Sequence, residues 1–334
     1  MNISVVIATC NRKSRLLSLI GCLDQSTFPL NEVIIVDSGE HPLQPADFAS
    51  ATGLNIRYLR TEKSVCLQRN TGIRAATSPW IFICDDDIEV PGDYLQKLTD
   101  HIRAYPDTGA VSGLVLQWEK NGWTAEYPEH SATAVCWKFI FQLSIWGSIR
   151  CKRNNFLFNK IRRYYHQKGN HISKAGWPVI TDFSGDYFSS PVYGLGASLI
   201  KKEWLRQTPF DEVLDSHGIG DNYGAAMGFP GNISILNQAW VYHHRDNSNR
   251  LDQPLQYFRR ALALGYFIQT KERLRNARVP WLLWSLTGSL VRFMLTGDLG
   301  MTKAAMVSII RIACRRNPYV LAARDRTKIT EPKL

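Results

Sequence analysis

The chain has 334 residues, 45% of them hydrophobic, with seven cysteines and a formal net charge of +11. That length and apolar share fit one large domain, or a domain with a sizeable appendage, and exclude a disordered or low-complexity chain. The basic balance favours anionic partners, and on charge alone nucleic acid, sugar nucleotides and an anionic membrane surface all stay open. An odd cysteine set without any CxxC pair suggests neither a zinc site nor a disulfide framework, so reduced thiols in a cytoplasm are expected.

The N-terminal MNISVVIATCNR has no basic n-region and reads as a strand from its third residue, which argues against a signal peptide. Ile3 to Ala8 is that strand. Arg15 to Leu23 then carries helical apolar spacing at Leu16, Leu19, Ile20 and Leu23, and Glu32 to Val36 is a β-branched strand running to Asp37. A weaker strand at Asn55 to Leu59 precedes a helix from Ser64, a natural N-cap, to Ala76. The strand Trp80 to Cys84 follows, then a helix after Pro91 with Tyr94, Leu95, Leu98 and Ile102 on one face, then a strand from Ala110 to Leu116. This alternation predicts an α/β fold: a mostly parallel sheet flanked by helices, with ligands collecting where the strands end.

The middle changes character. Ala134 to Ile149 is apolar and aromatic, whereas Arg150 to Lys174 carries eight Lys/Arg and no acid. Two readings stay open: an interfacial membrane element, or a buried helix followed by a solvated basic loop. From Val192 the globular pattern returns through Tyr242, and Pro254 to Pro318 reads as a helical, basic extension. No uninterrupted apolar run reaches the roughly 18 residues expected of a spanning helix, so a cytoplasmic protein, or one peripheral at the inner membrane face, is expected.

Three polar clusters fall at predicted strand ends: Thr9 to Arg12, Asp37 to Gly39, and Asp85 to Asp87. The last raises a physical problem, because three adjacent carboxylates at the end of an apolar strand repel one another and resist burial. A divalent cation would compensate them, and hard oxygen ligands at D-x-D spacing, Asp85 and Asp87, suit Mg²⁺ or Mn²⁺ rather than zinc. The alternative is an acidic run that favours a helix N-terminus. Because the first strand runs into TCNR rather than a glycine-rich loop, dinucleotide binding is disfavoured.

The stretches 3-ISVVIATCNR-12, 33-VIIVDSGE-40, 68-QRNTGIRAA-76, 81-IFICDDDIEVPGDYL-95, 192-VYGLGASLIKKEWL-205 and 210-FDEVLDSHGIGDNYGAAMGF-229 together resemble the family 2 glycosyltransferases of the GT-A fold. The resemblance covers residues 1 to 245 in the family's order. It implies a nucleotide-sugar-binding half in 1–117, an acceptor half in 118–245 and an extension in 246–334. It also implies that Thr9 and Arg12 form the first loop of the donor site and that Asp37 meets the nucleotide base. Arg69 and Asn70 would lie against the nucleotide, and Asp85 would take the ribose or the metal. Asp86 belongs with that donor-binding set. Asp87 would ligate Mn²⁺ or Mg²⁺ directly, and Asp221 would be the base that deprotonates the acceptor hydroxyl in an inverting transfer. Asp221 as a helix cap is the structural alternative, with Asp215 and the more distant Asp211 as other bases. In 240-WVYHHRDNSNR-250 the resemblance points to His243, slightly ahead of His244, as a further metal ligand, and to Arg245 as a contact for the diphosphate.

The family's processive synthases carry a QxxRW signature and spanning helices, whereas this chain has 256-QYFRR-260, so single-sugar transfer is favoured. The implied donor is a UDP-, GDP- or dTDP-sugar. The implied acceptor is a saccharide of a lipid-linked or cell-surface glycan, such as one on polyprenyl diphosphate, with peripheral membrane contact and no nucleic acid partner. Two other classes compete. A sugar nucleotidyltransferase needs a glycine-rich phosphate loop that is not seen here, and a non-catalytic membrane adaptor leaves the strand-end acids without a purpose.

Overall fold

Strand β1 (Ile3–Thr9) is hydrogen-bonded in parallel on both sides, to β2 (Glu32–Asp37) and to β4 (Trp80–Asp85), and β2 pairs in parallel with β3 (Ile56–Arg60). Such strands bury both faces, which is why they are near-continuous runs of Val and Ile rather than alternating ones. The protein is seen here as a computed structural model that describes residues 1–49, 51–119, 122–244, 251–327 and 331–334. By contacts it groups into two units. One comprises Met1–Ala125, Ser184–Glu212 and Ser216–Ser248, and the other Glu126–Phe183, Val213–Asp215 and Asn249–Leu334.

In the first unit, α1 (Lys13–Asp24) and α3 (Tyr94–Ala104) cover one face of the sheet, their Leu16, Leu19, Leu95 and Leu98 packing with Ile3, Val5, Ile7 and Phe82. Helix α2 (Val65–Ala75) lies on the other face, where a Cβ on Gly72 would collide with Val6, so only glycine lets the helix approach this closely. Ser64 caps α2 by accepting from the Leu67 N–H, as its sequence position predicts. The sheet is completed by β5 (Ile88–Glu89), β6 (Ala110–Glu119), β7 (Gly122–Thr124) and three later strands. Its order is Tyr187–Ser190, Ile233–His243, β6, Ala197–Lys201, β4, β1, β2, β3, with β5 on Ile233–His243 and β7 on β6. Ala197–Lys201 runs antiparallel between β4 and β6, while Ile233–His243 is parallel to β6. The register aligns Thr9 with Asp37, Ala8 with Asp85 and His243 with Gln117, so the carboxyl ends of the parallel strands bring the polar clusters to one edge.

The second unit contains a small sheet of Ile145–Trp146, Pro178–Ile180 and His171–Ile172 and the helices Ala132–Ile140 and Phe156–Lys168. The basic stretch, read either as part of an interfacial element or as a solvated loop, is partly a helix, started by the Asn155 side chain accepting from the Phe158 N–H at 2.8 Å. Phe158, Ile161 and Tyr165, spaced by three and four, form its buried face. The C-terminal extension is helical as expected, over Gln253–Thr270, Val279–Leu295, Leu299–Ala313 and Pro318–Asp325. Among the described residues no helix is long and apolar enough to cross a membrane.

Candidate active site

The acids at the end of β4 are each held by a different basic group. Asp86, only 5% exposed, accepts from the Thr9 hydroxyl at 2.8 Å and from Arg12 Nη1 at 3.0 Å. Burial pushes its carboxyl up to about 6. Arg12 and the Thr9 hydroxyl oppose the rise, and the neighbouring Asp87 charge adds to it. Asp87 meets Arg12 Nη1 at 3.3 Å and His243 Nε2 at 3.2 Å. Strand alternation separates the two histidines, and His244 instead reaches Glu89 at 2.9 Å. His243 also comes within 3.5 Å of the Gln117 amide through Nδ1. Arg245 lies outside the described residues.

Asp85 turns the other way, to Arg69 Nη2 at 2.6 Å, and keeps 35% of its side chain exposed. Its backbone N–H donates to the Gly196 carbonyl at 2.9 Å, and a Cβ on Gly196 would collide with its carboxylate. Arg69 is itself buried, and its Nη1 grips Asp221 and Asn222 Oδ1. Burial alone would lower the guanidinium pKa, but the Asp221 and Asp85 charges override it and raise it. The Phe210 ring sits 5.1 Å from the guanidinium carbon, a cation–π floor. Asp221 is the first residue of the helix Asp221–Ala226, whose N-cap is Gly220 with no side-chain cap; its Oδ1 accepts from the neighbouring Asn222 N–H at 2.6 Å while its carboxylate faces Arg69 near the positive end of the helix. It follows Gly220, at φ 100°, a conformation that favours glycine.

Two further expected residues make contacts of their own, apart from the acids at the end of β4. Asn70 gives its amide to the backbone of Phe210, at 2.9 Å to the carbonyl and 3.0 Å from the N–H, and to Glu212 at 2.8 Å. One residue along a helix turns the side chain by about 100°, so Asn70 ties down the 210–212 loop while Arg69 faces the acids. Asp37 is buried at the end of β2, its oxygens accepting from the Gly39 N–H and the Tyr58 hydroxyl, each at 2.7 Å. It fixes the loop that would border a nucleotide. Asp215 is fully buried between Arg259 Nη1 at 3.0 Å and the Tyr319 hydroxyl at 2.7 Å, which closes it to an acceptor hydroxyl.

Sequence reasoning missed Gln68, whose amide donates to the Thr9 and Val36 carbonyls at 2.7 and 2.8 Å and so stitches together the ends of β1 and β2. It also missed Phe210, Asn222 and Gln117. A buried glutamine on the sheet-facing side of a helix is the one signal that was available for Gln68.

As chemistry, four carboxyl groups, Asp85, Asp86, Asp87 and Asp221, face two guanidiniums, Arg12 and Arg69, with His243 beside Asp87. Carboxylate and imidazole donors suit a hard divalent cation, and Asp87 and His243 already meet, whereas Asp85 is turned to Arg69 and the three ligand atoms do not gather within 4.8 Å of one another.

Comparison with known proteins bears on the family and the fold. The profile of Glycosyl transferase family 2 matches residues 4–174, about half the chain, and the protein belongs to that family. Its fold is of the GT-A type seen in glycosyltransferase structures. The uncharacterized glycosyltransferase YwdF of Bacillus subtilis (strain 168) is 30% identical over 130 residues, 38% of this chain, and the chain spans about half (47%) of that relative. Among solved structures, S. aureus TarS 1-349 matches with a TM-score of 0.56 at 14% identity, over 98% of this chain and 88% of that one. The same protein in complex with UDP-GlcNAc matches at 0.55 and 12%, over 98% and 93%.

Proposed function

We propose that the enzyme transfers one sugar from a nucleoside-diphosphate donor to a saccharide hydroxyl with inversion, Asp221 taking the hydroxyl proton. The observation that carries this reading is Arg69, one buried guanidinium holding Asp85 on the donor side and Asp221 on the acceptor side. A base must stand opposite the departing nucleotide for inversion, and a shared cation fixes both carboxylates in one frame. Residues 1–117 carry every proposed donor residue except His243. Residues 118–245 are assigned the acceptor role, and 246–334 the extension.

In this reading Thr9, Arg12 and Asp37 border the nucleotide, with Asp86 locking Thr9 and Arg12 in place. Asp85, Asp87 and His243 would hold Mn²⁺ or Mg²⁺, which when bound stabilises the negative charge on the departing diphosphate. Arg69 keeps the Asp221 carboxylate oriented while the acceptor hydroxyl approaches. The sugar complexes of TarS support a nucleotide-sugar donor, and the acceptor is assigned to the class of lipid-linked or cell-surface glycans.

The test is calorimetric titration of UDP, GDP and dTDP, with Mn²⁺ and then with EDTA, on the wild type and on Asp87→Ala. One nucleotide should bind only with metal and lose that binding in the variant. Binding of none by the folded protein overturns the reading.

A further inference from the structure

The second unit exposes large apolar side chains that a water-facing helix normally buries. On Val279–Leu295, Trp281, Trp284 and Leu295 are 38%, 43% and 79% exposed, and on Leu299–Ala313, Leu299, Met306 and Ile310 are 82%, 47% and 52% exposed. At 100° per residue Trp281, Trp284 and Leu295 fall on one stripe, as do Leu299, Met306 and Ile310, and Arg292 and Lys303 flank those stripes, while Met294, 54% exposed, lies off its helix's stripe. The two helices pack against each other and meet at a turn, so Leu295 and Leu299 stand at its tip.

Charge decides what covers this surface. From Arg275 to Arg316 the chain has seven Lys/Arg and one acid, and that acid, Asp298, is spent accepting from the Met301 N–H as a helix cap. A second copy docking face to face would set Arg292 and Lys303 near their own counterparts with no carboxylate between them. An anionic bilayer satisfies both features, taking the Leu, Met and Trp side chains at its interface and the basic groups among its headgroups.

We propose that the hairpin of Val279–Leu295 and Leu299–Ala313 is a docking surface for an anionic lipid bilayer, with Leu295 and Leu299 inserting at its tip. The inference stands on these helices alone. If it fails, the nucleotide titration is untouched, and if the transferase reading fails, the docking surface remains.

The experiment is co-sedimentation of the whole chain with vesicles of phosphatidylcholine alone and of phosphatidylcholine with 30–40% phosphatidylglycerol (roughly the load needed for a strong negative surface). The wild type should pellet with the anionic vesicles at low salt, and high salt should release it. Leu295→Asp with Leu299→Asp should weaken partition by about tenfold or more, and Lys303→Glu with Arg311→Glu should remove the preference for anionic vesicles. Unfolding midpoints equal to wild type show that the exposed substitutions leave the fold intact. No pelleting of the wild type with anionic vesicles overturns the proposal. Unchanged pelleting of the Leu295/Leu299 variant does the same, as does self-association in light scattering that this variant abolishes.

Discussion

The two ends of the parallel strands treat a buried carboxylate in opposite ways. At the amino end of β2, Glu32 accepts from the Ser4 hydroxyl at 2.7 Å, from the Thr77 N–H and hydroxyl at 2.7 and 2.6 Å, and from Arg57 at 2.8 Å. Burial alone would raise its pKa, but these donors bring it down to about 2. At the carboxyl end, Asp86 is as deeply buried with fewer donors and an acid on each side, and burial wins, moving it up to about 6. One end is closed to further partners and joins β1, β2, β3 and the loop after α2. The other sets four carboxylates, Asp85, Asp86, Asp87 and Asp221, against two guanidiniums, Arg12 and Arg69.

The sharpest way to break this contrast is to remove a carboxylate at each end. Asp221→Asn should lower the turnover number by about a thousandfold, the usual worth of a general base, with nucleotide titration unchanged. An equal loss of nucleotide binding would show that Asp221 serves the donor instead. Glu32→Gln should leave transfer near wild type but reduce stability to urea by about 3 kcal/mol at neutral pH.

The Glu32 effect has a definite pH window. Its folded pKa lies below the ordinary 4.5, so the stabilisation is complete above 4.5 and disappears as pH falls through about 2. The difference between wild type and Glu32→Gln should therefore shrink across that interval in urea titrations. A constant difference would mean that the hydrogen-bond geometry, rather than the charge, carries the effect.

Much of this was legible in the sequence because it is local. β1, β2 and β4 follow from short apolar or β-branched runs, the apolar face of α3 from a period of 3.6, and the Ser64 cap from one hydroxyl before an apolar run. The strand-end acids were legible because carboxylates after a buried strand need an explanation. What stayed hidden is non-local or too short to have a period. Arg69 and Asp221 are 152 positions apart, and nothing near either announces the other. Asn70 could not be told from Arg69 without knowing which way α2 is rotated. The two-residue strands Ile145–Trp146 and His171–Ile172 carry no alternation to detect. The helix Phe156–Lys168 did carry its signal at Phe158, Ile161 and Tyr165, masked by the basic residues between them.

The smallest expected effect sharpens the contrast most, because its sign is opposite to intuition. An acid whose folded pKa is raised from 3.8 to about 6 opposes folding once ionised, by at most about 3 kcal/mol at pH 7. That penalty diminishes as pH falls through 6 and is gone below 3.8. Asp86→Asn keeps the shape and removes the buried charge, but it also weakens the partner of Arg12, so the metal-free variant should gain about 1–2 kcal/mol at pH 7. The gain should fade on acidification to pH 4. A divalent cation relieves the same charge in the wild type, so Mn²⁺ should raise the wild-type melting temperature more than that of Asp86→Asn. If the variant proves less stable than wild type at pH 7 without metal, Arg12 and Thr9 already neutralise Asp86. The excess negative charge at the carboxyl end would then be confined to Asp85, Asp87 and Asp221.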